Sequence, residues 1–480
     1  MKFKIHAEKT ANDTAVFIYD NETNTLSTEQ GFVFEDPRLM DDFKNFPASI
    51  PFSKEQPLKK VRTPRILKIQ LGLSCNYSCS YCSQRFVPRA DETSKKDVEL
   101  FMKRLENLEF SEANGLRIEF WGGEPLVYIK TIMPLVAALK KKFASWERKP
   151  HYSMITNGSL LTDELCDWLF DNQFGVAISH DGPGQHLRGP DPFEDPELKA
   201  VVLRFYRRMK PLGRMSFNSM LNAKNISRKE ITDWFVAFTG DPNVVLGEGS
   251  LIDAYDDDGL ENSLTTKDEH FTFRRTAFND IFGTGGAIGF HGVKEKIDDF
   301  TRSVLAHKSA DAVGQKCGMD DEYVLAVDLR GNVISCQNVS AVATAMNGMP
   351  HLAGNIMNMD AVQVRTSTHW RNRPNCSGCP VLHLCQGSCM YLEGEYWWKS
   401  CKNSFSDNVV LFALSIEKIT GYIPTYIEAD HLPPERQDIW GTILQHEEVS
   451  KRDVKKAKTV QQKIRLEDVE VFSRAEVLEG

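Results

Sequence analysis

The cysteines of this 480-residue chain are numerous and closely spaced enough to bind a metal or a cluster. Ten of its eleven cysteines lie in two groups, one before residue 83 and one after residue 316. The first group is Cys75, Cys79 and Cys82, and the second is Cys317, Cys336, Cys376, Cys379, Cys385, Cys389 and Cys401. Grouped thiolates of this kind bind iron–sulfur clusters or zinc. The eleventh, Cys166, lies in a helical pattern, and we expect it to be a buried, inert thiol.

The first group has the spacing C-x3-C-x2-C and directly follows a predicted strand at 66–71. Three thiolates on one short loop can hold three irons of a [4Fe-4S] cluster and leave the fourth iron open to another ligand. A zinc site completed by a distant histidine, or three buried structural cysteines, would show the same spacing. The residues that follow the neighbouring strands favour the iron–sulfur interpretation.

Stretches typical of strands alternate with stretches typical of helices between residues 66 and 251. This alternation predicts about six βα units and a parallel sheet. In α/β barrels the functional groups lie at the carboxyl ends of the strands, which is where the first cysteine group falls. The predicted strands are 66–71, 116–120, 152–155, 176–179, 215–220 and 244–246.

The second predicted strand runs into the segment Gly-Gly-Glu-Pro. Gly122 and Gly123 have no side chain, so a ligand could approach their backbone closely. The carboxylate of Glu124 could accept a hydrogen bond from an ammonium group. We therefore expect a ligand with a cationic group beside the cysteine loop.

Together these features resemble the radical S-adenosylmethionine (SAM) enzymes. The cysteine loop has the family's spacing with an aromatic residue, Tyr81, before the last cysteine, and Gly-Gly-Glu-Pro is a family motif. The segments Thr-Asn-Gly at 156–158 and Ser-His-Asp-Gly-Pro at 179–183 are similar to motifs after the third and fourth strands of these enzymes. The resemblance implies an α/β fold, a partial (β/α)6 TIM-type barrel. It also implies that a cluster electron, supplied by a donor of the flavodoxin or ferredoxin type, cleaves SAM to a 5′-deoxyadenosyl radical.

The resemblance further implies which residues bind SAM. Glu124 would hold the methionine amino group, and Arg188 could pair with a carboxylate. Ser179 and Asp181 would meet the polar ribose or methionine part. The segment around Asn157 could equally be a plain turn. The full implied set is Tyr81, Gly122, Gly123, Glu124, Asn157, Ser179, Asp181 and Arg188.

The second cysteine group lies in a loop-rich stretch with little periodicity, as expected where metal sites hold the fold. Its Cys-x2-Cys pair is compatible with zinc as well as with iron and sulfur. The full pattern resembles the SPASM domain, which follows the barrel in many radical SAM enzymes and carries two auxiliary [4Fe-4S] clusters. The resemblance assigns Cys376, Cys379, Cys385 and Cys401 to one auxiliary cluster, and Cys317, Cys336 and Cys389 to the other.

The three-cysteine auxiliary set departs from the pattern of some relatives, which have a further cysteine before the position of Cys317. Its fourth iron could take a substrate thiolate, or an Asp, Glu or His of this chain. A second departure follows Cys336, where sulfatase-maturing relatives have an acidic residue and this chain has Gln337. An amide cannot act as a general base, so Gln337 argues against a sulfatase maturase.

We expect four segments: a lead-in with a β-hairpin at 1–60, the barrel at 61–312, the SPASM module at 313–405, and a helical, charged tail at 406–480. The 58 basic and 66 acidic residues give a net charge of −8, which offers no general attraction to nucleic acid or anionic membranes. No apolar run reaches the roughly 20 residues of a membrane span, and residues 1–20 lack the apolar core of a signal peptide. We therefore expect a cytoplasmic protein without nucleic-acid or membrane partners.

The predicted function is hydrogen abstraction from a peptide or protein substrate, with SAM and three [4Fe-4S] clusters as cofactors. The product would be a thioether or carbon–carbon cross-link, or another oxidative modification, in a ribosomally made peptide. The alternative within the family is maturation of an enzyme's own cofactor residue, of the sulfatase formylglycine or amine dehydrogenase type. A zinc-stabilised binding protein without catalysis is the hypothesis from another class.

Overall fold

The computed structural model describes residues 1–10, 12–43, 47–284, 289–366 and 368–441. The strands in these residues are β1 (Lys2–Thr10), β2 (Asp13–Asp20), β3 (Thr25–Thr28), β4 (Val33–Phe34), β5 (Leu58–Lys59), β6 (Ile66–Gln70), β7 (Arg117–Trp121), β8 (His151–Thr156), β9 (Gly175–Ser179), β10 (Met215–Leu221), β11 (Leu246–Leu251), β12 (Val324–Asp328), β13 (Asn332–Ile334), β14 (Leu352–Asn355), β15 (Gln363–Val364) and β16 (Ile423–Glu428). The helices are α1 (Pro37–Phe43), α2 (Val98–Arg104), α3 (Ile129–Lys142), α4 (Asp163–Asp171), α5 (Gln185–Arg188), α6 (Pro196–Met209), α7 (Arg228–Thr239), α8 (Asp257–Leu260), α9 (Lys267–Gly283), α10 (His291–Leu305), α11 (Leu382–Cys385), α12 (Gly394–Thr420) and α13 (Pro434–Gln437).

The central sheet has the strand order β11-β10-β9-β8-β7-β6-β12-β13-β14 within the described residues. Strands β6 to β11 are parallel neighbours in chain order. The six predicted strands and the mostly parallel α/β sheet are therefore confirmed, although β11 begins only at Leu246, where the predicted strand ends. Strand β12 adds to β6 in parallel, so the sheet continues without a break past the expected domain boundary at residue 312.

The two faces of the sheet differ in polarity because side chains alternate along each strand. On β6, Leu67 and Ile69 join the large apolar core, while Lys68 and Gln70 point to the opposite face. On β7, Ile118 joins the same core. One face of the sheet therefore packs against the helices, and the other presents polar groups near the cysteine loops.

The two ends of the described chain form a second sheet, with the order β16-β1-β2-β3-β4. Within the lead-in, β2 pairs with β3 and β3 pairs with β4, all antiparallel, so the expected hairpin is part of a larger sheet. Strand β1 pairs with β16, so residues 423–428 are part of a sheet rather than of a tail. The segment expected as a tail begins inside α12, whose apolar run at 409–416 is buried. The part of the expected tail after residue 441 lies outside the described residues. In the part of the chain that is described, no helix is long and apolar enough to cross a membrane.

Candidate functional site

The first cysteine loop follows β6 at the carboxyl end of the parallel strands. Cys75 is exposed, and Cys79 and Cys82 are half-buried. Burial, and then the charges of neighbouring groups that include the other two thiols, raise the pKa of Cys75 to about 11. The loop thus brings its three thiols close enough to act on one another electrostatically.

Gly122 and Gly123 lie against the backbone that leads into the cysteine loop. A Cβ atom at Gly123 would lie 2.5 Å from the carbonyl oxygen of Ser74, and one at Gly122 would lie 2.9 Å from that of Gly72. The backbone N–H of Gly123 donates to the Gly72 carbonyl at 3.1 Å. The side of each glycine on which a Cβ would lie is filled by the chain itself, and the approach of a ligand to their backbone stays a prediction. These glycines are therefore needed for the close approach of two backbone segments.

The Glu124 side chain is buried at the ends of β7 and β8. Its carboxylate accepts hydrogen bonds from the Thr156 hydroxyl at 2.6 Å, the Asn157 backbone N–H at 2.7 Å and the Leu126 backbone N–H at 2.9 Å. Burial raises the pKa of Glu124 against the opposite effect of these hydrogen bonds. A carboxylate has about four acceptor positions, so roughly one remains for a further donor. The chemistry of this group fits the amino group of SAM.

Asn157 connects the end of β8 to the cysteine loop. Its side-chain amide donates to the Asn76 side chain at 2.9 Å, and its oxygen accepts from the Ser159 hydroxyl at 2.6 Å. Gly158 has a φ of +76°, so the segment is also a tight turn. The segment is therefore a tight turn that also contacts the cysteine loop, and a contact of Asn157 with SAM stays a prediction.

Asp181 is fully buried, and it joins the fourth strand end to the cysteine loop. One carboxylate oxygen accepts from Arg188 Nη1 at 3.1 Å and from the Met220 backbone N–H at 2.9 Å, and the other accepts from the Tyr81 hydroxyl. Arg188 also donates a hydrogen bond to the Cys79 thiol. The buried Nε of Arg188 has no hydrogen-bond partner among the described residues. This unpaired donor fits a carboxylate of a bound ligand.

Ser179 ends β9 and is nearly buried beside this cluster. The next residue, His180, is a positioning residue that sequence reasoning did not find. Its ring is stacked between Phe193 and Trp234, with each centroid 4.6 Å away. Its Nε2 lies 3.0 Å from an oxygen of Asp191. The only signal in the sequence was its place inside the Ser-His-Asp-Gly-Pro segment.

A group of hydrogen-bonded side chains that was not predicted from the sequence holds the start of the cysteine loop. The Tyr128 hydroxyl donates to Glu92 at 2.6 Å and accepts from the Ser74 backbone N–H at 2.7 Å. The Ser74 hydroxyl donates to the other oxygen of Glu92 at 2.8 Å. No spacing rule connects these three residues, because they come from separate segments of the chain.

Four cysteines of the second group line a cavity of about 370 Å³ that is partly open to solvent. Its lining also includes Trp397, Phe405 and Arg436. The four are those that the resemblance assigns to one auxiliary cluster: Cys376, Cys379, Cys385 and Cys401. Four thiols around one cavity are a donor set that fits a [4Fe-4S] cluster.

The three remaining cysteines form a separate cluster of thiols. Burial and then the charge of Cys336 raise the pKa of Cys317 to about 12. Burial, and then the charge of Cys389, raise the pKa of Cys336 to about 11. The Tyr255 hydroxyl donates to the Cys389 sulfur, and Asp253 lies near the same thiol.

Residues after Cys336 contact the polar face of β6. The side-chain amide of Gln70 donates to the Gln337 carbonyl at 2.7 Å, and Lys68 Nζ lies 3.4 Å from the Gln337 side-chain oxygen. Gln84, just after the first cysteine loop, donates to Asn338 at 3.4 Å. The first cysteine loop and the three-thiol set therefore meet across one strand.

Comparison with known proteins agrees with this geometry. Residues 69–190 match the radical SAM superfamily. The chain is 23% identical over 415 residues to the "Radical SAM cyclopropyl synthase TigE" of Paramaledivibacter caminithermalis, covering 79% of each protein. It is 22% identical over 365 residues to the "Cysteine-type anaerobic sulfatase-maturating enzyme" of Clostridium perfringens, covering 69% of this chain and 92% of that protein. The solved structure "Native anSMEcpe with bound AdoMet and Cp18Cys peptide" shares the fold, with a TM-score of 0.52 and 20% identity over 75% of this chain and 99% of that one.

The fold and the matched domain define a radical SAM enzyme, so the expectation from the cysteine loop is confirmed at the level of the class. Residues 69–190 are a radical SAM domain, and the relatives of the chain include proteins named as maturating enzymes. SAM and one [4Fe-4S] cluster are the cofactors of this domain.

Proposed function

We propose that this enzyme is a radical SAM/SPASM maturase that installs a thioether or carbon–carbon cross-link in a ribosomally made peptide. The observation that carries the proposal is that the segment after Cys336 contacts the polar face of β6, through Lys68 and Gln70, and also Gln84 after the first cysteine loop. A substrate on this face would lie between a SAM site and an auxiliary cluster. We also propose that β6 to β11 curve into a partial barrel around this face.

Different residues of the proposed SAM site would bind different groups of the cluster and of SAM. When bound, the cluster and SAM supply the abstraction of a hydrogen atom from the substrate. Cys75, Cys79 and Cys82 would hold the cluster, and the free acceptor position of Glu124 would receive the SAM amino group. The unpaired Nε of Arg188 would receive the SAM carboxylate, while Asp181 holds the guanidinium in place. Tyr81 and Ser179 complete the polar surroundings.

The second cysteine group would bind two auxiliary clusters that accept the electron left by substrate oxidation. The cavity with four thiols holds the cluster with a full set of protein ligands. The set of Cys317, Cys336 and Cys389 leaves one position for a substrate thiolate or for a carboxylate of this chain. Asp253 is the acid near Cys389, and its carboxylate accepts a hydrogen bond from the Ser400 hydroxyl.

Two relatives support a peptide or protein substrate. The solved structure of a sulfatase-maturating enzyme contains a bound peptide, and the relative from Paramaledivibacter caminithermalis is named for forming a cyclopropyl group, which is carbon–carbon chemistry. Maturation of an enzyme's cofactor residue is the second candidate, because sulfatase-maturating enzymes match the chain. Gln337 disfavours it: its amide cannot take a proton, and Lys68 and Gln70 both contact the residue.

The test begins with protein purified without oxygen. We expect roughly twelve irons per chain with equal sulfide, about four for each of three clusters. With a reductant of the flavodoxin or ferredoxin type, SAM should yield 5′-deoxyadenosine. Short peptides encoded beside the gene should lose two hydrogen atoms by mass spectrometry. Zinc without visible absorption would contradict the proposal, and conversion of a sulfatase peptide to formylglycine would establish the second candidate instead.

A further inference from the structure

A buried arginine from the end of the described chain reaches the cavity with four thiols. Arg436 lies on the short helix α13, after the segment at 313–405 that was expected to bind the auxiliary clusters. Its Nη2 is 3.2 Å from the sulfur of Cys401, and only 8% of the residue is exposed. Its guanidinium carbon lies 4.8 Å from the centre of the Phe405 ring. Arg436 thus lines this cavity and donates a hydrogen bond to one of its thiols.

The chain fixes Arg436 in this position. Strand β16 pairs with β1, and the segment that follows returns to it through the bridge between Tyr426 and Asp438. Arg274 on α9 donates to the backbone carbonyls of Glu435 at 3.0 Å and of Asp438 at 3.1 Å. The backbone on both sides of Arg436 is therefore held in place.

The charge of Arg436 lies beside all four thiols, because Arg436 lines the same cavity as Cys376, Cys379, Cys385 and Cys401. An arginine stays protonated in a protein, so this positive charge is permanent. In a buried cavity of low dielectric, the charge acts more strongly than it would in water.

We propose that Arg436 raises the reduction potential of the iron–sulfur cluster bound by Cys376, Cys379, Cys385 and Cys401. This inference rests on the proposed function, in which these four cysteines bind such a cluster. Reduction adds one electron and therefore one negative charge. A fixed cation that also donates to a ligating sulfur stabilises the reduced form more than the oxidised form, and hydrogen bonds to sulfur are known to set these potentials.

The test is a redox titration followed by electron paramagnetic resonance. The full chain carries Cys75→Ala, Cys79→Ala and Cys82→Ala, so that only the auxiliary clusters contribute. Arg436→Gln should lower one of the two midpoints enough to reduce the ratio of reduced to oxidised cluster at least tenfold, which is about 59 mV for a one-electron couple. Arg436→Lys should give a smaller fall, because the charge remains and the planar donor is lost.

The matched control is Lys402→Gln, which removes the same charge from the residue next to Cys401. Lys402 is exposed, so water and salt screen it, and both midpoints should stay unchanged. Iron and sulfide are measured in every variant. Absence of iron from the background protein would refute the proposed function itself. About eight irons with unchanged midpoints in Arg436→Gln would overturn the inference alone. If Arg436→Gln loses iron, an unchanged midpoint in Arg436→Lys overturns it.

Discussion

The two cysteine regions are built in different ways. The first is one short loop, and polar side chains at the ends of neighbouring strands hold it, as Asn157 and Arg188 do. In the second region, four thiols line a cavity that is assembled from segments far apart in the chain. These segments include α12 and, at the end of the described residues, Arg436. Cys75 is exposed, whereas the four-thiol cavity is walled by Trp397, Phe405 and Arg436.

This difference matches two kinds of chemistry. A cluster that must take a new ligand in each reaction needs an open side, which a surface loop after a strand provides. A cluster that only exchanges electrons gains from enclosure, because solvent exposure and hydrogen bonds to sulfur affect its potential. We therefore expect that changes to the first region remove catalysis and leave the fold, whereas changes to the second disturb both.

Removal of the three thiols of the first loop should have the largest effect. In the variant Cys75→Ala, Cys79→Ala, Cys82→Ala, we expect no 5′-deoxyadenosine and a loss of about a third of the iron, since one of the three proposed clusters would be absent. The measurements are chromatography of the SAM products and iron analysis. Cys166→Ala is the control, because this buried thiol on α4 lies in the apolar core. Product formation that persists in the triple variant would contradict the assignment.

Removal of one thiol of the enclosed set should reduce stability more than removal of the whole first loop. In Cys379→Ala, the proposed cluster beside α11 and α12 would lose a ligand, and metal binding contributes directly to folding free energy at such sites. We expect a lower thermal midpoint than in the triple variant, measured by circular dichroism under anaerobic conditions. Equal midpoints in the two variants would mean that the regions do not differ in this way.

An added methyl group at Gly123 should displace the first loop. Its Cβ would lie 2.5 Å from the Ser74 carbonyl, and overpacking of this kind costs about 1–3 kcal/mol. We expect Gly123→Ala to slow SAM cleavage by about ten- to a hundredfold, with the iron of the second region retained. Gly292→Ala is the control, because a Cβ there meets nothing within 4 Å. Similar rates in both variants would show that the loop tolerates the methyl group.

The contrast between the regions also explains what could be predicted from the sequence. The six parallel strands and the first loop depend on local patterns, so alternation and spacing were enough to predict the strands. The pairing of β1 with β16 joins residues more than 400 positions apart, as Lys4 with Glu428 shows, and no local pattern reveals it. Arg436 was missed for the same reason. The close approach of the Ser74 backbone to Gly123 was not predicted, because spacing does not show which chain segment lies beside a glycine.

The smallest predicted effect concerns the Tyr81 hydroxyl. Tyr81→Phe removes its hydrogen bond to Asp181, while the Arg188 contact with that carboxylate remains. One such hydrogen bond contributes about 1 kcal/mol, so the Kd for SAM should rise about fivefold, measured by equilibrium binding to the loaded enzyme. Tyr206→Phe is the matched control, because its hydroxyl donates to Asp241 at 2.7 Å on the far side of the apolar core. If the two variants weakened SAM binding equally, the effect would be general loosening of the fold rather than the specific support that Asp181 receives at the open cysteine loop.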